Sequence, residues 1–144
     1  FDYVDHAGAP GTYRPRIQFR EIDGAFNIGG IHVVPLPVVH ENKPTVGFLF
    51  EADGRMFGYV PDCQEMPPET VEALQGVEVM ILDALRHRPH ATHLTVENSL
   101  AILKRIGART SYIIHMCHDL DHAETEKAMP EGVKVSYDGL VVEW

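Results

Sequence analysis

The sequence predicts an α/β fold, a mixed β-sheet with flanking helices, and three observations predict it. Residues 17 to 60 carry short β-type runs separated by turn residues. After Asp62, helical and strand patterns alternate along the chain. Four of the apolar runs end in a His or an Asp, the arrangement of an α/β sheet that collects a site at its strand ends.

The elements follow in order. Phe1 to Arg16 is rich in Gly, Pro and aromatics, has neither a helical nor a strand period, and reads as a loop or lid. Ile17 to Ile22, Ile31 to Val39, Val46 to Phe50 and Met56 to Val60 are expected strands, each bounded by Gly, Pro, Asn or Asp. Asp53-Gly54 joins the last two as a two-residue hairpin, because both turn positions need positive φ. Pro67-Pro68-Glu69 starts a helix that carries Val71 and Leu74 and stops at Gly76. Strand Val77 to Leu82 follows. Thr95 then caps a helix whose Val96, Leu100, Leu103 and Ile106 recur at helical spacing, with Lys104 and Arg105 suiting its C-terminal dipole and Gly107 ending it. Strand Ser111 to Ile114 is next, and Asp121 with Glu124 forms a capping-box pattern for a short helix to Ala128, closed by Pro130. Val133 to Tyr137 and Leu140 to Glu143 read as two last strands joined by an Asp138-Gly139 hairpin.

Bulk properties exclude several classes. The chain has 144 residues, one domain's worth over residues 1–144, and its 44% hydrophobic and 23% charged content suits a folded globular protein. No apolar run approaches the roughly 20 residues a membrane helix needs. A net charge of −9, with no run among its 12 Lys and Arg, argues against non-specific nucleic-acid binding. Cys63 and Cys117 fit no disulfide framework or C-x-x-C motif, so free thiols in a reducing cytoplasm are expected. Phe1-Asp2-Tyr3 carries no initiator Met and no targeting segment, and the chain is expected to be a fragment.

The chemistry sits where the apolar runs stop. Val38-Val39 stops at His40, Phe57 to Val60 at Pro61-Asp62, Val79 to Leu82 at Asp83, and Tyr112 to Ile114 at His115. His with carboxylate is the ligand set of Zn²⁺, Mn²⁺ or Fe, and a pair of such metals can activate water against a phosphoryl or acyl centre. Taken singly, a strand-end Asp often caps the next turn and a lone His is more often structural. Recurrence over several strands favours a site.

Three segments carry a resemblance. They are Leu82-Asp83-Ala84-Leu85-Arg86-His87-Arg88-Pro89-His90-Ala91-Thr92-His93-Leu94, Ile113-Ile114-His115-Met116-Cys117-His118-Asp119-Leu120-Asp121-His122, and Tyr137-Asp138-Gly139-Leu140. From about Gly30 onward the chain resembles the metallo-β-lactamase superfamily, in the branch of the phosphoribosyl cyclic phosphodiesterases, which is similar to ribonuclease Z. The resemblance implies that the sheet and helices are a portion of an αββα sandwich. It implies His40 and His115 as metal ligands, Asp62 as the carboxylate between two metals, and His93 as the non-ligand acid for the leaving oxygen. Asp83 would stand behind a histidine and orient it.

The family's H-x-H-x-D-H loop is absent from the sequence, and His115 to His122 does not have its spacing. The resemblance therefore implies two divalent ions, zinc or manganese, in the intact parent, and at most one weakly bound ion in this chain. The chain alone is expected to be inactive. The implied substrate of the parent is a small cyclic or nucleotide-like phosphodiester. Lactone, thioester or β-lactam hydrolysis on the same fold is the alternative, as is a non-catalytic fragment. The expected partner is the missing N-terminal half or a second copy of the chain, because half of a two-sheet sandwich exposes an apolar face.

Other candidates are set against blander readings. His118 could contact substrate or order the metal shell, or lie in a connecting loop with Asp119. Asp121 and His122 suit a cap and a solvated first turn. Arg86, His87, Arg88 and His90 are the one locally basic cluster, and Arg86 is a candidate for substrate phosphate or for plain solvation. Cys63, Cys117, Tyr59 and Tyr112 are assigned to packing, and His6 and His32 have no assigned role.

Overall fold

A computed structural model describes residues 17–144. The loop or lid reading of residues 1–16, and His6 with it, lies outside the described residues.

One seven-stranded sheet organises the described residues, with its strands in sequence order. They are β1 (Phe26–Ile28), β2 (Ile31–His40), β3 (Lys43–Ala52), β4 (Arg55–Val60), β5 (Val79–Asp83), β6 (Thr110–Ile114) and β7 (Val133–Val135). Strands β1 to β4 pair antiparallel, and β4 to β7 pair parallel. Each parallel step needs a crossover, and helices α1 (Pro68–Ala73), α2 (Val96–Ile106) and α3 (His122–Ala128) supply the three. The mixed sheet is therefore a direct consequence of where turn signals give way to helical spacing.

Local chemistry explains the boundaries. Asp53 and Gly54 both take positive φ, 52° and 75°, closing the hairpin that pairs Ala52 with Arg55. The Thr95 hydroxyl accepts from Asn98 N–H at 3.2 Å, and Gly107 at φ 69° closes α2 by donating to Leu103 O. Asp121 caps α3 through Glu124 N–H at 2.9 Å. Glu124 does not return the bond; its carboxylate takes Lys127 Nζ instead.

The core fills the side of the sheet that the helices cover. Leu36, Leu49, Val60, Met80, Leu82 and Ile113 meet Val71, Leu74, Leu103 and Ile106 in one buried cluster. On the opposite side the register aligns Phe48 with Tyr59 and Phe50 with Phe57. Phe50 stacks on Phe57 at 5.5 Å, and Trp144 stacks on Phe57 at 5.5 Å. These rings take no part in the buried cluster that the helices share.

Two expected strands do not form. Ile17 to Ile22 has no strand geometry, and Ile17, Phe19 and Ile22 are exposed, because the place beside β2 is taken by β1, which the sequence patterns did not mark. Leu140 to Glu143 forms no strand either, and Asp138-Gly139 makes a turn without a hairpin. The outer side of β7 is already served: the Glu126 carboxylate accepts the Val135 N–H. A strand exists only where backbone partners exist. The tail instead carries Trp144 to the aromatic face.

Candidate metal and acid–base site

Strand direction gathers the site. Because β2 is antiparallel to β3 and β3 to β4, β2 runs the same way as β4, β5 and β6. Their C-terminal ends meet at one edge. His40 ends β2, Asp62 follows β4, Asp83 ends β5 and His115 follows β6. Backbone bonds then draw the loops in. Val39 N–H donates to Glu65 O at 2.9 Å and Gln64 N–H to Val39 O at 2.7 Å, which ties the Asp62 loop to the end of β2. Cys117 N–H donates to Leu85 O and Leu85 N–H to Leu94 O, which ties the loop before α2 to the loop after β6.

His93 lies at the centre. Its ring is 4.5 Å from that of His115, 4.9 Å from His40 and 5.2 Å from His90. His93 Nδ1 is 2.8 Å from Asp83 Oδ2, so its proton sits on Nδ1 and leaves Nε2 free. His40 Nδ1 donates to Thr92 O at 2.9 Å, and since a carbonyl only accepts, His40 Nε2 is likewise free as a lone pair. Asp62 Oδ1 lies 3.2 Å from His115 Nε2. His115 holds φ 64°, a strained conformation for a residue with a Cβ, of the kind that collects at functional sites.

Asp83 is the buried anchor. Its side chain is 0% exposed, and Oδ2 accepts from both Cys63 N–H and His93. The Ser99 hydroxyl donates to its main-chain oxygen, fixing the strand end to α2. Oδ1 has no hydrogen-bond partner among the described residues. Burial pushes the Asp83 carboxyl above the ordinary aspartate value, and the bonds from Cys63 and His93 oppose that rise. Burial likewise pushes the Cys63 thiol up to about 12, so it stays protonated and inert.

The donor set fits a divalent transition metal. Ligand atoms of His40, Asp62 and His93 lie within 4.8 Å of one another, as do those of Asp83, His93 and His115. Imidazole and carboxylate at such spacing suit a divalent transition metal, and the Thr92 carbonyl and the Asp83 carboxylate already orient the His40 and His93 rings. His93 belongs to both groups but has one free nitrogen, so it can ligate or donate a proton there, not both.

The structure thus brings together His40, Asp62, His93, His115 and Asp83. Arg86 lies on the adjoining loop between Asp83 and His93. His118 does not join: its side chain is 96% exposed and its Nε2 is 3.5 Å from Asp119 Oδ1. His90 was grouped in sequence only with the basic loop, and its place beside His93 depends on how that loop folds back. Its Nδ1 takes Thr92 N–H at 3.3 Å, a local bond that a His-x-Thr spacing permits.

Comparison with known proteins decides the family. Residues 3–116 match the profile of the β-lactamase superfamily domain. The chain belongs to the metallo-β-lactamase superfamily. Within that superfamily, a diphosphatase of the PhnP family has a similar structure, with a TM-score of 0.81, 35% identity, 88% of this chain covered and 48% of that one. Human tRNase Z, short form, shares the fold at a TM-score of 0.64 and 17% identity, over 82% of this chain and 44% of that one. Zn²⁺-bound PqqB from Methylobacterium extorquens shares it at 0.67 and 21%, over 88% of this chain and 52% of that one. An octanoyltransferase from Porphyromonas gingivalis is 29% identical over 91% of this chain, which spans 26% of that protein. The metallo-β-lactamase chain described here thus spans about half the length of these structures and a quarter of that sequence relative. Among the described residues, no helix is long and apolar enough to cross a membrane.

Proposed function

We propose that this chain is the C-terminal part of a metal-dependent phosphodiesterase acting on a small cyclic or nucleotide-like phosphodiester. The observation that carries the reading is the Asp83–His93 pair set among His40, Asp62 and His115 at one sheet edge. The 35% identity to a diphosphatase supports phosphoester over acyl chemistry, and the acyl name belongs to a protein of which this chain spans only 26%.

With His93 kept as the acid, His40 with Asp62, and His115 beside Asp62, are the ligands left to hold divalent metal, and Asp62 offers two oxygens. Bound metal lowers the pKa of water and offsets phosphoryl charge. Asp83 keeps the His93 proton on Nδ1 and the ring in place. His93, its ring part-buried, presents Nε2 to the leaving oxygen; in its imidazolium form it would give the Nε2 proton to that oxygen while Nδ1–H stays on Asp83. The aromatic face around Phe50, Phe57 and Trp144 would be covered by the remaining half of the parent, or by a second copy. Two free thiols suit a cytoplasmic setting.

The test uses the parent enzyme, bis-p-nitrophenyl phosphate and a lactone panel. Preference for the phosphodiester supports the reading, and preference for a lactone retires it. His93→Ala should lower turnover by roughly 10²–10⁴-fold with metal content unchanged. Loss of metal in that variant would make His93 a ligand instead.

A further inference from the structure

The ligand-type atoms at this edge gather in two trios, His40 with Asp62 and His93, and Asp83 with His93 and His115, each within 4.8 Å. His40 and His115, the two imidazoles read above as ligands, share neither trio. His93 belongs to both. The ring that would carry the proton is therefore also the third ligand that stands nearest to His40 and Asp62.

Geometry decides between the trios. An ion on Asp83 would lie behind the His93 ring, where the carboxylate is 0% exposed and Oδ2 already holds Cys63 N–H at 2.9 Å and His93 Nδ1 at 2.8 Å. It would have to displace those bonds. On the open side of the ring the ligand atoms are ready. His93 Nε2 and His40 Nε2 are both lone pairs, because each Nδ1 is tied, to Asp83 Oδ2 and to Thr92 O. Thr92 precedes His93 in the chain, so the bond that aims the His40 ring also fixes it beside His93, with ring centroids 4.9 Å apart. Asp62, its side chain 41% exposed, has a second oxygen beyond the one 3.2 Å from His115 Nε2. His90 offers no rival ligand: its Nδ1 accepts from Thr92 N–H, which leaves the proton of the neutral ring on Nε2.

Zinc bonds of about 2.0–2.1 Å set neighbouring atoms of a tetrahedral shell about 3.3 Å apart, so side-chain shifts of about 1 Å close the trio. Three protein ligands with one open position make a stable zinc site. A ligating histidine commonly donates its other ring N–H to a carboxylate, and Asp83 already provides that partner.

We propose that His93 Nε2 is a metal ligand in this chain, completing with His40 and Asp62 a site for one divalent transition-metal ion, and that an ion there blocks proton transfer. Metal and proton compete for a single lone pair, so the ring that is metal-bound cannot become the imidazolium. The ligand assignment rests on this chain alone. The block rests on the acid role proposed for His93 above.

The test titrates Zn²⁺ into this chain by calorimetry and follows the imidazole nitrogens by ¹⁵N NMR. One ion per chain is expected, with His93 Nε2 and His40 Nε2 moving to metal-bound shifts while His93 Nδ1 keeps its proton. His93→Gln, whose amide can still donate to Asp83, should weaken binding by roughly 100-fold or more, since losing even a partner that only orients a ligand costs about 10–100-fold. His115→Gln should bind Zn²⁺ as the unsubstituted chain does. Fluorescence of Trp144, stacked on Phe57, reports whether each variant is folded, and if His93→Gln is not, the shifts of the unsubstituted chain decide. No binding, an unmoved His93 Nε2, undiminished binding in folded His93→Gln or binding lost in folded His115→Gln each overturns the site. In the parent enzyme, Zn²⁺ beyond the amount that gives full turnover should inhibit, and a chelator should reverse it. Turnover untouched by excess Zn²⁺ refutes the block while the ligand assignment stands. A parent that hydrolyses no phosphodiester retires the proposed function and also leaves the ligand assignment standing.

Discussion

Replacing Asp83 tests whether the buried carboxylate organises the site or merely tolerates burial. Its Oδ2 accepts two hydrogen bonds, from Cys63 N–H at 2.9 Å and from His93 Nδ1 at 2.8 Å. Asp83→Ala strands both donors. The Cys63 amide is fully buried, and leaving such a donor unpaired costs about 1–3 kcal/mol. His93 is 12% exposed and recovers part of its loss from water. Against this stands relief from burying a carboxylate with Oδ1 unpartnered, a term of about 1–3 kcal/mol on the mutational scale. Breaking a buried charged pair by removing one member costs about 3–5 kcal/mol in comparable cases, so the loss outweighs the relief. We expect Asp83→Ala to lower unfolding free energy by about 2–4 kcal/mol in urea. Asp83→Asn keeps one oxygen for both donors but places an amide where Oδ1 finds no partner, and should cost about 1–3 kcal/mol.

The pH dependence has a defined sign. A raised folded pKa means the native state binds the proton more tightly than the unfolded chain. This contribution is therefore present in acid and is lost as pH rises from the ordinary value of 3.8 through the raised one. Asp83→Asn should remove that downward slope. Wild-type stability or better in Asp83→Ala, or an unchanged slope in Asp83→Asn, would refute the reasoning.

The remaining predictions concern packing, capping and charge. A Cβ at Gly47 would sit 2.5 Å from Val60 Cγ2 and 3.1 Å from the backbone Tyr59 O, whereas one at Gly58 meets only side-chain ends, Met80 Sδ at 2.5 Å and Leu74 Cδ2 at 2.8 Å. Gly47→Ala should cost about 1–3 kcal/mol and more than Gly58→Ala, as ranked by denaturant midpoints. Thr95→Ala should cost about 1 kcal/mol through the lost Asn98 cap, read as a drop in thermal midpoint with the sheet unchanged. Arg88 holds the Asp119 carboxyl below its ordinary value, so this clamp is intact above the ordinary aspartate pKa and opens as pH falls through the lowered one. Carboxyl NMR titration of Asp119 in Arg88→Gln should show the pKa moving back up.

Most of the sheet was legible because its signals are local. Asp53-Gly54, Thr95 and Gly107 each mark a boundary by backbone chemistry that needs no distant partner. The strand-end residues His40, Asp62, Asp83 and His115 were visible as apolar runs that stop at ligand-type side chains. Ile17 to Ile22 and Leu140 to Glu143 carry the same apolar patterning, yet pair with neither edge strand of the sheet. β1 was missed for the converse reason: three residues hold no period, and only their register against β2 makes them a strand.

By itself the chain of amino acids determined its superfamily, the alternation of its elements and the residue types able to bind metal or move a proton. Only the tertiary structure decided that β2, β4, β5 and β6 run in one direction and bring those residues to one edge. It also decided that His90 joins His93 while His118 points to solvent. Periodicity records which side of a strand or helix a residue faces. Which loop then folds against which depends on bonds between residues far apart in sequence, such as Gln64 to Val39 and Cys117 to Leu85.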